Sequence, residues 1–249
     1  MSGGTYGALA PWYDDVMSHV DYPQWASHVE TIWKHIGVRP KFILETAAGT
    51  LALAPYLKRA TRRWVHSDLS LEMLSNARPP ALGMSDRVAA DFRALPFAPD
   101  KFDAVLCLYD AINYCLMEED LRRFFAEAFR VLKPGGTFVF DHVTSVTCAR
   151  YFRDFTTHEE VQGAHVVRES SWDPTGRLQH NLFTFFLPDG QGKFVRSQEH
   201  HMQKMWPGTL FRRLAEKAGF VWLGAWDDFT LDPVRRNSER VHVALRRPS

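Results

Sequence analysis

The chain has 249 residues, 45% of them hydrophobic, which suits one large domain or one domain with an insertion. Thirty basic and 29 acidic side chains leave a formal charge of +1, so no strong field points to nucleic acid or to an anionic membrane. Three cysteines without metal-ligand spacing favour a reducing compartment. With no leader pattern and no apolar run of ~20 residues, we expect a cytoplasmic protein that binds neither nucleic acid nor membrane.

The first informative segment follows an aromatic-rich stretch, residues 1–40, that is predicted to form helices. Phe42–Thr46 is apolar apart from Glu45 and Thr46 and is predicted to be a buried strand. Small residues then make a turn at Ala47–Gly49, and Leu51–Leu57 has a helix-like pattern. A strand that delivers its carboxyl end to a tight turn and a helix is where α/β proteins hold nucleoside-bearing ligands.

The second segment repeats this arrangement. Trp64–Ser67 is predicted to be a strand that leads into Asp68. Asp68 lies about 20 residues after the first turn, where a ribose-binding acid is expected. Ser70 is predicted to cap a helix that runs to Ala77. Two strand ends and two acids, one βαβ step apart, indicate an adenosine-type cofactor.

The rest of the core continues to alternate strands with helices. The predicted third and fourth strands are Arg87–Asp91 and Phe102–Leu108. An amphipathic helix, Glu118–Leu132, and a fifth strand, Thr137–Phe140, follow them. Lys133–Gly136 separates the helix from the fifth strand, because proline cannot continue a helix and glycine accepts a left-handed exit. Such alternation predicts a parallel sheet with helices on both faces.

The pattern changes after residue 150. Three extended segments are separated by turn signals: Ala164–Ser171, Leu178–Leu187 and Phe194–His201. We interpret residues 150–206 as inserted antiparallel strands that lie over the active site. A helix, Gly208–Ala218, then leads to two closing strands, Phe220–Trp226 and Arg240–Leu245, which would place an antiparallel strand in the sheet.

The motifs, taken in order, resemble those of the class I S-adenosylmethionine-dependent methyltransferases. Their positions are Glu45–Gly49, Asp68–Leu74, Asp91–Phe92 followed by Leu95–Phe97, and Leu132–Gly136. Within that family the chain is similar to a bacterial small-molecule subgroup that includes glycine-type and amino-sugar N-methyltransferases. The resemblance implies one domain over 1–249 with residues 1–40 as a helical lid. It also implies a Rossmann-like seven-stranded sheet, mostly parallel with the last strand antiparallel, helices on both faces and an antiparallel β insertion.

The resemblance further implies the residues that hold S-adenosylmethionine. They are Tyr13, Glu45, Ala47, Gly49, Asp68, Leu69, Asp91, Phe92 and Leu108. A carboxylate at Asp68 can accept both ribose hydroxyls, and Asp91 would accept from the adenine amino group. Core packing is the competing interpretation for Phe92 and for Tyr13. The first loop departs from the family pattern, since Ala47, Ala48 and Leu51 replace residues that are often glycine; alanine would weaken or reshape binding at most.

The candidate catalytic residues are Tyr109, Asp110 and His142. Tyr109 and Asp110 follow the fourth strand and should lie beside the reactive sulfonium, which favours electron-rich rings and carboxylates. His142 follows the fifth strand and is a candidate general base, although a lone histidine is often structural. Of His200 and His201, one should face the substrate cavity, because neighbours on a strand point to opposite faces. Despite eleven histidines, no metal-site spacing is present.

We therefore expect transfer of a methyl group to a nitrogen or oxygen of a small-molecule acceptor. Aromatic side chains are expected to cover a moderately apolar pocket: Tyr6, Trp25, Trp172, Phe185 and Trp206. An NAD-dependent oxidoreductase is a rival, but Gly-x-Gly-x-x-Gly is missing from the first turn. A binding-only or scaffold protein is a second rival, supported by the substituted loop alone. Monomer and homodimer both remain open.

Overall fold

The computed structural model describes residues 6–7, 9–57, 63–77 and 85–249. Within them a short 3-10 turn, Ala10–Trp12, precedes the first helix. The helices are α1 (Tyr13–Val16), α2 (Tyr22–His35), α3 (Leu71–Asn76), α4 (Glu118–Val131), α5 (Ser145–Tyr151) and α6 (Gly208–Lys217). A further 3-10 turn covers Ala111–Tyr114. No helix in these ranges is both long and apolar enough to cross a bilayer.

The strands form two sheets. Those of the main sheet are β1 (Phe42–Thr46), β2 (Arg63–Asp68), β3 (Ser85–Ala89), β4 (Phe102–Cys107), β5 (Leu132–Val143), β10 (Val221–Asp227) and β11 (Arg240–Arg246). Those of the second sheet are β6 (Asp154–Val161), β7 (Ala164–Asp173), β8 (Leu178–Pro188) and β9 (Phe194–Lys204).

The main sheet has the order β10-β11-β5-β4-β1-β2-β3. Strands β1 to β5 pair in parallel, whereas β11 runs antiparallel to both β5 and β10. From β1 the chain adds β2 and β3 on one side, and from β4 it adds β5 on the other. The chain therefore changes direction across the sheet between β1 and β4, and a crevice opens there at the carboxyl edge, as in other open α/β sheets. The predicted fold is confirmed: a mostly parallel seven-stranded sheet with an antiparallel closing strand.

Helices cover both faces of this sheet because each presents one apolar stripe to it. On one face α4 contributes Phe124, Phe125 and Ala128 to a cluster of buried phenylalanines that includes Phe138 and Phe140. On the other face α2 buries its own apolar stripe against the sheet. Asp21 starts α2 by accepting a hydrogen bond from the backbone N–H of Gln24 at 2.8 Å.

Three predicted elements differ from the structure. The fifth strand, predicted as Thr137–Phe140 after a break at Lys133–Gly136, runs from Leu132 to Val143 and includes those four residues. Leu51–Leu57 is a series of turns rather than a helix, because Leu51 has a left-handed φ of 61° and the next hydrogen bonds span only three residues. The third strand, predicted as Arg87–Asp91, lies two residues earlier, so Asp91 follows the strand and begins a turn. In addition, β6 and α5 were not predicted from the sequence.

The second sheet is antiparallel throughout, with the order β6-β7-β8-β9. Alternation places every second residue of β8 and β9 on the buried face. That face is largely polar at one end: Gln179 and Asn181 on β8, and Glu199, His201 and Gln203 on β9. Buried polar side chains need partners, and these find them in one another and in neighbouring residues, as with Gln179 and Asn181 and with Glu199 and His201.

Candidate active site

Asp68 joins the first two loops at the carboxyl edge of the main sheet. Its Oδ2 accepts from the backbone N–H of Gly49 at 2.8 Å, and its Oδ1 accepts from that of Ser70 at 2.8 Å. Burial raises the pKa of Asp68, against the opposing effect of these N–H groups. A carboxylate accepts about four hydrogen bonds, so Asp68 retains capacity to accept from a hydroxyl group of a ligand.

A cavity of about 300 Å³ lies directly beside Asp68. Most of the predicted cofactor residues line it: Tyr13, Ala47, Gly49, Asp68, Leu69, Asp91, Phe92 and Leu108, with Tyr109 beside them. Gly49 has a left-handed φ of 55°, and a Cβ there would lie 3.2 Å from Cε of Met73. The loop therefore turns tightly around the cavity, as a nucleoside site requires.

Asp91 and Phe92 also line this cavity. The guanidinium of Arg93 donates to Asp91 at 2.7 Å and to Asp120 at 2.7 Å. Burial opposes ionisation of Asp91, but the hydrogen bonds from Arg93 outweigh it and lower the pKa. Phe92 lines the cavity and also packs on Phe124 with ring centroids 4.3 Å apart, so both interpretations of Phe92 describe its position.

Glu45 lies behind the first loop, outside the 300 Å³ cavity. It is buried and its Oε2 lies 2.7 Å from Nδ1 of His66 on the neighbouring strand. It lines instead a recess of about 40 Å³ that Tyr13, Ala47 and Gly49 also line. Nothing in the sequence pointed to the contact with His66, since the two residues meet only through the register of β1 and β2.

A second cavity, of about 340 Å³, adjoins the first. The two share their border residues: Tyr6, Tyr13, Tyr109, Tyr114 and His201. Residues of the N-terminal helices, of the edge of the main sheet and of the inner face of the second sheet line the second cavity. We name the first the nucleoside cavity and the second the distal cavity.

Tyr109 and Asp110 lie at the border and in the distal cavity, respectively. Both have left-handed φ angles, 60° and 48°, a conformation that is costly for such residues and is often found at functional sites. The ring of Tyr109 stacks on Trp25 with centroids 4.2 Å apart. The Asp110 carboxylate accepts from Gln203 at 2.6 Å and from Arg240 at 2.9 Å. Arg240 also pairs with Asp141, so its charge is already compensated.

A chain of hydrogen bonds runs along the border between the cavities. Oη of Tyr6 lies 2.7 Å from Oη of Tyr114, and the latter lies 3.1 Å from Nδ1 of His201. Nε2 of His201 lies 3.1 Å from Oε2 of Glu199. The backbone N–H of Leu9 donates to the other oxygen of Glu199 at 3.3 Å. Strand alternation had indicated that one of His200 and His201 faces the cavity, but nothing in the sequence joined it to Tyr6 and Tyr114.

His142 is buried in a different place. It lines a separate cavity on the α6 side of the sheet, with its ring centroid 4.6 Å from that of Phe211. Its Nδ1 lies 3.2 Å from the carbonyl oxygen of Val143, and burial lowers the pKa of its ring to about 4. A general base must reach the acceptor, so the position of His142 does not suit that role.

The expected aromatic cover of the pocket is only partly present. Tyr6 and Trp25 line the distal cavity. In contrast, Trp172 packs with Met205, Phe185 is buried with Leu9, and Trp206 donates to the carbonyl of Cys115 at 2.7 Å. Polar residues of β8 and β9 occupy the inner face instead, because the register of these strands decides which alternate set points inward.

No cluster of three or more histidine, cysteine, aspartate or glutamate side chains suited to a metal ion occurs in the part of the chain that the structure describes. Methyl transfer from a sulfonium requires donor and acceptor to be aligned and water to be excluded. Two adjoining cavities, one of them lined by the carboxylates of Asp68 and Asp91, are compatible with these requirements.

Comparison with known proteins agrees with this geometry. Residues 44–155 match the sequence profile described as a methyltransferase domain. A protein of Geobacillus sp. (strain WCH70), named provisionally as a methyltransferase, is 29% identical over 250 residues that cover 98% of this chain and all of that protein.

Two solved structures have a similar fold. An S-adenosylmethionine-dependent methyltransferase from Clostridium acetobutylicum ATCC 824 superimposes with a TM-score of 0.82 at 23% identity, over 98% of this chain and 99% of that one. The sugar N-methyltransferase KedS8 from Streptoalloteichus sp. ATCC 53650 gives 0.76 at 20% identity, over 95% and 93%. These findings agree with the prediction from the motifs: residues 44–155 match a methyltransferase domain, and the chain has the fold of solved S-adenosylmethionine-dependent methyltransferases.

Proposed function

We propose that the protein transfers the methyl group of S-adenosylmethionine to a nitrogen or oxygen of a small-molecule acceptor. The cofactor would occupy the nucleoside cavity and the acceptor the distal cavity. The observation that carries this proposal is that the two cavities meet at shared residues, among them Tyr109 and Tyr114. A methyl group at that border can be approached from the distal side, as direct displacement requires.

The residues of the nucleoside cavity suit the parts of the cofactor. Asp68 would accept from the ribose hydroxyls, and the ionised Asp91 from the adenine amino group. Phe92 and Leu69 would cover the base, while backbone groups of Ala47 and Gly49 approach the cofactor closely. The cofactor supplies an activated methyl on a sulfonium, which the electron-rich faces of neighbouring aromatic rings would stabilise.

Tyr109 and Tyr13 would define the methyl end of the site. Both line the nucleoside cavity, the distal cavity and the recess beside Glu45. Leu108, which precedes Tyr109, is buried and supplies an apolar wall. These side chains would exclude water from the reacting centre, which strengthens the electrostatic interactions there.

The hydrogen-bonded chain at the border can take up the proton that an acceptor loses. Glu199 accepts from Nε2–H of His201 in this arrangement, which leaves Nδ1 free to accept from the Tyr114 hydroxyl. As the acceptor gives a proton to the oxygen of Tyr114, the hydroxyl proton of Tyr114 moves to Nδ1 of His201. Glu199 then stabilises the imidazolium, a role that buried carboxylates take beside histidine bases.

The nature of the acceptor draws support from one neighbour in fold. KedS8 is described as a sugar N-methyltransferase, so this architecture accommodates a polar small molecule at its acceptor side. The polar inner face of β8 and β9 fits an acceptor of that kind. Both an amine and a hydroxyl are compatible with the proton-accepting chain.

Ligand-dependent thermal unfolding tests the proposal. We expect S-adenosylhomocysteine, the product form of the cofactor, to raise the unfolding temperature and NADH to leave it unchanged, because a ligand stabilises the state that binds it. Mass spectrometry of small amines and alcohols incubated with the protein and S-adenosylmethionine would then detect methylated products. Stabilisation by NADH alone would favour an oxidoreductase, and no response to either ligand would favour a scaffold.

A further inference from the structure

Arg168 on β7 is a cation on the wall of the distal cavity. Its Nε lies 3.1 Å from Oγ of Ser170 and 3.1 Å from Oδ1 of Asn181, and its Nη2 donates to the same Asn181 oxygen at 2.9 Å. The guanidinium also lies over two rings, 4.8 Å from the centroid of Phe152 and 5.6 Å from that of Phe183. The side chain is thus held in one orientation before any ligand binds.

Among the residues that the structure describes, none forms an ion pair with Arg168. Within the described ranges, no carboxylate oxygen lies within 4.0 Å of its guanidinium nitrogens. The other guanidinium of the cavity, that of Arg240, is paired with Asp110 and Asp141. Partial burial of a guanidinium without an ion pair is costly; the hydrogen bonds and the two rings offset part of that cost, and a bound anion would offset more.

The remaining hydrogen-bonding capacity of Arg168 is suited to such an anion. Its Nη1 makes none of the hydrogen bonds found in the described part of the chain, and Nη2 uses one of its two protons for Asn181. Two neighbouring N–H groups of a guanidinium match the two oxygens of a carboxylate. A dianionic phosphate suits the site less well, because Glu159 and Asp110 also line this cavity.

We propose that the acceptor carries a carboxylate, which Arg168 binds, and presents its nucleophilic nitrogen or oxygen to Tyr114 at the border of the cavities. This inference rests on the proposed function, since it assigns the distal cavity to the acceptor. It narrows the substrate class to small amino or hydroxy acids.

Binding of benzoate to the protein loaded with S-adenosylhomocysteine tests the carboxylate site without knowledge of the acceptor. Benzamide has the same shape without the charge, and inorganic phosphate is a second anion. We expect calorimetry to show benzoate binding at least about tenfold more tightly than benzamide and more tightly than phosphate. Arg168→Gln should remove that preference, and Arg168→Lys should keep part of it.

Arg196→Gln is the matched control, because Arg196 is exposed on the neighbouring part of the second sheet. It should bind benzoate as the unmodified protein does. Equal binding of benzoate and benzamide, tighter binding of phosphate, or a benzoate affinity unchanged in Arg168→Gln would each overturn the carboxylate assignment. A protein that binds S-adenosylhomocysteine but not benzoate refutes this inference alone, whereas one that binds benzoate but not S-adenosylhomocysteine refutes the proposed function.

Discussion

The two cavities are built in different ways. Around the nucleoside cavity Asp68 and Asp91 lie within two residues of a strand end, and each accepts from the backbone N–H of the residue two positions further along the chain. Around the distal cavity the important side chains come from β7 and β9 and are held by other side chains, as with Arg168 and Asn181. One site is therefore local in the sequence, and the other depends on the pairing of distant strands.

This difference predicts how amino-acid substitutions affect each cavity. Parallel strands deliver their carboxyl ends to one edge, so the nucleoside cavity follows from the sheet itself. The distal cavity follows from the register of an added sheet, and a substitution there leaves the strand ends in place. Acceptor specificity can thus vary while the cofactor site is kept, and the experiments below test that separation.

The largest effect is expected from His201→Gln. Loss of the proton-accepting chain should lower kcat by about 100-fold or more, which is the lower part of the range for general base catalysis. Affinity for S-adenosylhomocysteine, measured by calorimetry, should change by less than about threefold. His158→Gln, an exposed histidine of the second sheet, serves as the control. If His201→Gln weakened cofactor binding and left kcat unchanged, the two cavities would not be separate in function.

Asp68→Ala tests the opposite side. The lost charge-assisted hydrogen bonds should cost about 1.5–3 kcal/mol, which raises the Kd for S-adenosylhomocysteine by roughly 10- to 150-fold. Part of that loss comes from the Gly49 N–H, which Asp68 no longer holds. Asp86→Ala, at an exposed aspartate on β3, should leave the Kd unchanged. A Kd equal to that of the unmodified protein would remove Asp68 from the cofactor site.

The predictability of the two regions from sequence differs for the same physical reason. Phe42–Thr46 was predicted with its observed bounds, and Ser70 caps α3 as expected through its bond to the Met73 N–H. These features depend on residues close together in the chain. His142 was the candidate general base, but it lines the separate cavity on the α6 side of the sheet. Its position near a strand end did not reveal which face of the sheet it occupies.

The second sheet shows the limit of local patterns. The alternation of Phe194–His201 indicated a strand, but the partner of His201 depends on how β9 lies over Ala111–Tyr114, which the alternation does not contain. The missed strand β6 is mostly exposed, so it lacks the apolar alternation that marks a half-buried strand. The segment Leu51–Leu57 has a helix-like composition, but it forms successive turns whose hydrogen bonds span three residues.

Acid should lower the free energy of unfolding through two buried histidines, His28 on α2 and His142 on β5. Burial lowers the pKa of His142 to about 4 and that of His28 to about 4, below the ordinary value of 6.5. The unfolded chain then binds protons that the folded chain does not, so stability is fully present above pH 6.5 and falls as the pH drops towards 4. In His142→Leu, the free energy of unfolding should fall by up to about 3 kcal/mol less over this pH range. Urea unfolding at several pH values measures it, and an unchanged pH dependence in His142→Leu would contradict the assignment.

The smallest effect concerns the first loop, where alanine replaces glycine without loss of the glycine-like conformation. Ala47 has a φ of 51°, whereas Ala48 is not among the residues with positive φ. A left-handed alanine costs roughly 1–2 kcal/mol relative to glycine, and part of the gain from Ala47→Gly is offset by the greater freedom of glycine in the unfolded chain. We expect Ala47→Gly to stabilise the protein by about 0.5–1 kcal/mol, a rise in Tm of about 1–4 °C. Ala48→Gly should destabilise it, because the same freedom is gained without relief of strain. Equal stabilisation by both substitutions would show that the loop is not strained at Ala47, and the nucleoside cavity would then be no more constrained locally than the distal one.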